Sequence, residues 1–225
     1  MMKIATLTAA LALCAGTAFA ADLTSGGLKD SGIAGVGPIQ GIYFEMGVGY
    51  GFSQDKIGSS STSGGDLAAT GTFFNARLGY DKAGLIGGRF GAGLYVQGSN
   101  AFDVNGSIGS SSSLVTSGNQ WGYGVGGKLF YDYGGGQAYV LLGYEGQDVS
   151  LGVPEAGTGS RHTDGILWGG GVSMKLTHNA YIGLEAVQID RGTISGTFGT
   201  GAGASTWSFG GADDRVSLRV GISSN

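Results

Sequence analysis

Residues 41–52 read GIYFEMGVGYGF. Every residue in the stretch is apolar, aromatic or glycine except Glu45. Taken two at a time, Ile42, Phe44, Met46, Val48, Tyr50 and Phe52 share one face, and Gly41, Tyr43, Glu45, Gly47, Gly49 and Gly51 share the other. Successive side chains of a strand point to opposite sides, so this is a strand with one wholly apolar face and one small or polar face. The fold must say where the carboxylate goes.

The same alternation recurs in residues 72–80, 89–97, 120–133, 137–145, 165–176, 180–189 and 215–223. In residues 89–97, for example, Leu94 lies on the apolar face and Gly93 on the other. Each segment is about the 9–11 residues that a tilted strand needs to cross a bilayer. The connections alternate in length: 53–70, 98–119, 146–164 and 191–214 are long and rich in Gly and Ser, while 81–88, 134–136 and 177–179 are short. This pattern predicts an all-β fold, an eight-stranded antiparallel up-and-down transmembrane β-barrel with four long extracellular loops and short periplasmic turns. Aromatic residues bracket the apolar faces. Phe52, Trp121, Tyr123 and Tyr144 fall toward the long-loop end, and Tyr80, Phe90, Tyr131 and Tyr133 toward the short-turn end, as two interfacial girdles.

The interior of an eight-stranded barrel is just wide enough for side chains to fill. Glycine, 49 of 225 residues, lacks the period of collagen, and 41% hydrophobic residues are too many for a disordered chain, so the glycines are read as inner-face spacers. The charged residues on the non-lipid faces are Glu45, Arg77, Arg89, Lys128, Glu145, Lys175, Glu185 and Arg219. They are expected to form a luminal charge network, since buried charges persist only when paired. If the first strand closes on the last, Glu45 lies between Arg77 and Arg219, and Glu185 between Lys175 and Arg219. The set carries excess positive charge, which water or an anion would complete.

Residues 1–20 read as a signal peptide: Lys3, an apolar run, and Ala18-Phe19-Ala20 as the cleavage site. Residues 21–40 are then a periplasmic N-terminal segment and 41–225 the barrel. The one cysteine, Cys14, would leave with the leader, so no disulfide or Cys-ligated metal site is expected. A net charge of −4 gives no footprint for nucleic acid.

Motifs that suggest chemistry fail on context. The GYGVGGKL of residues 122–129 resembles a phosphate loop, but it is mid-strand and Leu129 replaces the hydroxyl that would hold magnesium. His162 and His178 fall in a long loop and a short turn, on opposite sides of the membrane, and cannot share a metal. Ser160, His162 and Asp164 have the residue types of a hydrolase triad but lie together in one loop, whereas a triad needs partners held by rigid elements. No catalytic, cofactor or metal residues are assigned, and the chain is read as not an enzyme. Trp207 and Phe209, in a Gly/Ser/Thr-rich loop, are candidate anchors for an extracellular ligand or host surface.

With these features in hand, the chain resembles the small eight-stranded outer-membrane barrels that include the OmpA transmembrane domain and the opacity-type surface proteins. It is most similar to alphaproteobacterial outer-membrane surface antigens, through Ala21-Asp22-Leu23 and Gly27-Leu28-Lys29-Asp30. The resemblance implies location in the cell outer membrane, contact with its lipid and with the barrel-assembly machinery, and a structural or surface role. A narrow porin-like conduit and, less favoured, a barrel enzyme are the alternatives. The chain departs from the pattern at its end, Val220-Gly221-Ile222-Ser223-Ser224-Asn225, where relatives carry a terminal aromatic. A soluble ligand-binding barrel would need the inverse pattern, apolar inside and polar outside. The expected outcome is that the protein fractionates with membranes and is extracted only by detergent; recovery as a soluble monomer would overturn the membrane reading.

Overall fold

The computed structural model describes residues 38–59, 65–85, 88–108, 111–117, 120–153, 157–192, 194–198 and 205–224. The expected leader and most of the expected N-terminal segment before the barrel lie outside these residues, as do the side chains of Ser160, Trp207 and Phe209. The strands are β1 (Gly41–Ser59), β2 (Gly65–Ala83), β3 (Phe90–Ile108), β4 (Ser111–Ser117), β5 (Gln120–Asp132), β6 (Gly136–Val153), β7 (Gly157–Lys175), β8 (Ala180–Arg191), β9 (Ile194–Phe198) and β10 (Ser205–Ser223). Each pairs antiparallel with its neighbours, β4 extending the β5 stave and β9 the β8 stave. β1 pairs with β10 from Tyr43↔Ser223 to Ser59↔Trp207, which closes an eight-stranded up-and-down barrel.

The strands are longer than alternation implies. β1, β2, β3, β7 and β10 each run 19 residues. At 3.3 Å per residue that is roughly 60 Å of strand, or about 45 Å along the axis at a tilt of about 40°. The lipid-facing band of such barrels is only about 25 Å tall. Much of the segments expected as long connections is therefore ladder-paired wall. The alternation fades after Phe52 because, beyond lipid, neither face has to be apolar, although backbone pairing continues. The short turns fall at 84–89, 133–135 and 176–179. Gly84, Gly88 and Gly134 have φ of 78°, 58° and 94°, in the left-handed region that favours glycine.

Outward faces are apolar and exposed, their large side chains running from Tyr131 at 38% to Leu94 at 72%. In any soluble packing these would be buried; around a barrel they are the surface that lipid covers. Seven of the eight girdle aromatics point outward, and Phe90 and Tyr131 pack with ring centroids 5.1 Å apart. Tyr133 departs from that pattern. It is half-buried over the β5–β6 turn, where its hydroxyl donates to the Ser173 carbonyl at 2.6 Å.

Inside, large rings face glycines across the ladder. Tyr43 pairs with Gly79, Phe73 with Gly49, Tyr95 with Gly126, Phe130 with Gly91, Tyr139 with Gly171 and Tyr181 with Gly221. A Cβ on Gly171 would lie 2.6 Å from the Tyr139 hydroxyl. The glycines are thus spaces that neighbouring rings lie across, which fits them into a narrow bore. Gly93 is not an empty luminal site either: a Cβ there meets the Asp81 carboxylate and stands 2.8 Å from the Tyr80 carbonyl. At Gly51 the nearest atoms are 3.7 Å or more away.

Leu94→Arg should cost about 2–4 kcal/mol of folding free energy in lipid, since it puts a cation between the girdles. Gly51→Ser should fold nearly as the parent does. Folding titrations into vesicles check the ranking, and the reverse order would mean the two faces are inverted.

Candidate functional site: a charged network across the lumen

Arg77 on β2 lies at the centre of the bore, 1% exposed. Its Nη1 contacts Glu45 Oε1 at 2.9 Å and Glu185 Oε2 at 2.8 Å, and its Nη2 donates to Glu185 Oε1 at 3.0 Å. Nε and Nη2 also donate to Gln97 Oε1, at 3.2 and 2.9 Å. The planar fork of arginine suits this, because it serves several acceptors in fixed directions. Arg219 on β10 closes the square: Nη1 lies 2.8 Å from Glu185 Oε1, and Nη2 is in ion-pair contact with Glu45 Oε1 at 3.0 Å. The hydroxyls of Tyr139 and Tyr181 complete it, donating to Glu185 Oε2 at 3.1 Å and Glu45 Oε2 at 3.3 Å.

The network continues toward the loop end. Gln97 Nε2 donates to Glu145 Oε2 at 2.7 Å, and Glu145 Oε1 takes Arg215 Nη1 at 2.7 Å. Arg215 Nη2 reaches Gln147 Oε1 at 3.1 Å, which also accepts from Arg191. Arg191 Nε donates to Asp213 Oδ2 at 2.8 Å. Toward the turn end, Lys128 pairs with Asp81, and its Nζ sits 4.5 Å from the Tyr43 ring centre and 5.3 Å from that of Tyr139. Lys175 and Asp132 are buried below that pair.

Seven of the eight charges expected inside are there; Arg89 is not. It is exposed in the β2–β3 turn, where the two-residue rule lapses because the residue precedes the ladder. Glu45 does lie between Arg77 and Arg219. Glu185 does not lie between Lys175 and Arg219: the register puts it opposite Gly171 and Lys175 opposite Tyr181, and its carboxylate is shared by Arg77 and Arg219. Among the described interior residues no excess positive charge remains. Glu45, Asp81, Asp132, Glu145, Glu185 and Asp213 match Arg77, Lys128, Lys175, Arg191, Arg215 and Arg219 in number among the described interior residues. Sequence reasoning missed Asp81, Asp132, Arg191, Asp213 and Arg215. Parity would have found them: 81 follows 77 and 79, and 215 precedes 217 and 219, on the same face.

The GYGVGGKL segment lies in β5, with Lys128 turned inward. His162 and His178 are both exposed, one in β7 and the other in the β7–β8 turn. On the outer wall His162 Nδ1 meets Asp148 at 2.8 Å, and its ring stacks on Tyr123 with centroids 5.8 Å apart. Asp164 is taken by the Tyr144 hydroxyl, not by His162.

An apolar outer belt, a polar ion-paired bore and closure of β1 on β10 together give the chain the fold of the small outer-membrane β-barrels. Solved structures agree on the fold. The chain is similar to the outer membrane protein OprG from Pseudomonas aeruginosa, with a TM-score of 0.52 at 10% identity over 83% of this chain and 99% of that one. It is likewise similar to Neisserial surface protein A, with a TM-score of 0.51 at 13% identity over 81% of this chain and 96% of that one. No family model and no curated protein matches the sequence.

Glu45→Gln should destabilise the barrel strongly, up to about 3–5 kcal/mol where desolvation is complete, because two guanidiniums lose a shared carboxylate. Adding Arg219→Met should recover part of that loss, since Arg77 and Glu185 remain a matched pair. A double-mutant cycle on unfolding from lipid measures the coupling. Simple additivity would mean that Glu45 and Arg219 are not in contact.

Proposed function

We propose that this chain is an integral outer-membrane barrel with a structural and surface role, its bore closed by its own side chains. The observation that carries the reading is the bonding across the lumen. Arg77 of β2 holds Glu185 of β8, and Arg215 of β10 holds Glu145 of β6, so strands that are not neighbours in the wall are tied through the interior. A solute would have to break several charge-assisted hydrogen bonds at once, each stronger than a neutral one. The outward belt supports contact with membrane lipid. The paired walls beyond that belt support a role at the surface, as the part of the protein that stands clear of lipid. A porin-like conduit has no comparable support, and among the described residues neither the bore nor the outer wall assembles a catalytic group.

Purified protein in a planar bilayer should pass no stepwise current. The double variant Arg77→Ala, Glu185→Ala removes a neutral pair and should open the bore to small ions. Steady conductance from the parent protein would overturn the closed-bore reading in favour of a conduit.

A further inference from the structure

Arg89, expected inside the barrel, stands outside it, and so does Lys82 across the same hairpin. Both are exposed at the short-turn end, and neither makes an ion pair among the described residues. The nearby acids face the other way. Asp81 is 1% exposed and held by Lys128; Asp132 is 9% exposed and accepts from the Gly134 amide at 2.7 Å. The alternation that sends Asp81 inward sends Lys82 outward, so the hairpin shows its cations and hides its anions. Around them lie exposed Tyr80, Leu85 and Phe90, with Tyr131 packed on Phe90. The opposite end of the outer wall carries exposed Asp148, Asp164 and Asp190.

We propose that the β2–β3 hairpin is a docking surface for anionic phospholipid in the turn-side leaflet, with Lys82 and Arg89 on the headgroup phosphate and the aromatic side chains at the acyl boundary. The inference rests on the membrane-spanning reading above. Charge complementarity selects the occupant: two unneutralised cations flanked by interfacial aromatics fit a headgroup of net negative charge better than a zwitterion, whose own ammonium they would repel. Long Lys and Arg side chains reach the headgroup layer while their stems stay on apolar surface. Each cation near an anionic surface should favour binding about five-fold, so about thirty-fold for two before salt screening.

The test is the protein in nanodiscs of mixed phosphatidylcholine and phosphatidylglycerol, with retained lipid read by native mass spectrometry. The expected result is enrichment of phosphatidylglycerol that falls with salt and is largely lost in Lys82→Gln, Arg89→Gln. It should persist in the charge-preserving Lys82→Arg, Arg89→Lys and in Asp190→Asn at the other end. Equal retention of the two lipids by the parent protein, or undiminished enrichment in the glutamine variant, overturns the proposal. Displacement by free inorganic phosphate assigns the cations to phosphate alone and overturns the lipid assignment. Failure of the parent protein to enter nanodiscs would overturn the membrane reading itself, a distinct outcome from entering without preference.

Discussion

A guanidinium at the centre of a lipid-bound barrel has no bulk water to fall back on. Glu45, Glu185 and Gln97 converge on Arg77 and stand in for the water it lacks. Burying such an ion unpaired costs several kcal/mol, and the paired state roughly recovers that cost. The hub is better understood as a specifier than as a source of stability. Its charged members come from β1, β2, β8 and β10, so it spans the seam where the chain closes on itself. A slip of one residue at that seam would turn Glu45 into lipid and Met46 into the bore, because the side-chain period is two. The ion pairs therefore penalise every wrong closure that backbone hydrogen bonds alone would accept.

The aromatic–glycine pairs meet the same constraint in steric form. The bore of eight strands has little free volume, and a ring on every inner position could not fit. Laying Tyr43 across Gly79 and Tyr181 across Gly221 packs the wall and leaves the axis for long polar side chains. Those rings then serve the charges. Tyr139 and Tyr181 give hydroxyl protons to the carboxylates, and Tyr95 offers its face to Arg77, with the guanidinium carbon 4.4 Å from the ring centre. Glycine content, ring placement and ion pairing are thus one arrangement. Substitution at Gly79, Gly126, Gly171 or Gly221 would be felt at the hub through the displaced ring.

Strand alternation told which face each residue takes, and for the bilayer-spanning part that was sufficient. Gly41 to Phe52 alternates in the structure as it does in the sequence. What parity cannot supply is depth and azimuth. Glu185 was assigned to the nearest cations in strand order, yet the tilt of the staves brings it to Arg77 on the far side of the seam. Arg89 failed for a different reason: it sits where the turn has ended the ladder, and the rule has no force there. The strand ends were missed because residues such as Ser53 and Gln54 pair with no need for an apolar face. Pairing without patterning leaves no trace in hydrophobicity.

The bore is not polar throughout, which bears on what it can do. Tyr139, Leu141, Leu167, Val187 and Ile189 form an aliphatic and aromatic cluster on the β6–β8 wall, alongside the ion pairs. Tyr43, Tyr95 and Phe130 from β1, β3 and β5 belong to the same cluster, so apolar packing and ion pairs are interleaved around the bore. This mixed lining differs from the ring of like charges that lines a selective pore. On the closed-bore reading proposed above, the surfaces left to act are the outer wall, where lipid bears on it, and the two ends. Among the described residues the outer wall shows Lys82 and Arg89 at the turn end and Asp148, Asp164 and Asp190 toward the other, an asymmetry that distinguishes the two ends.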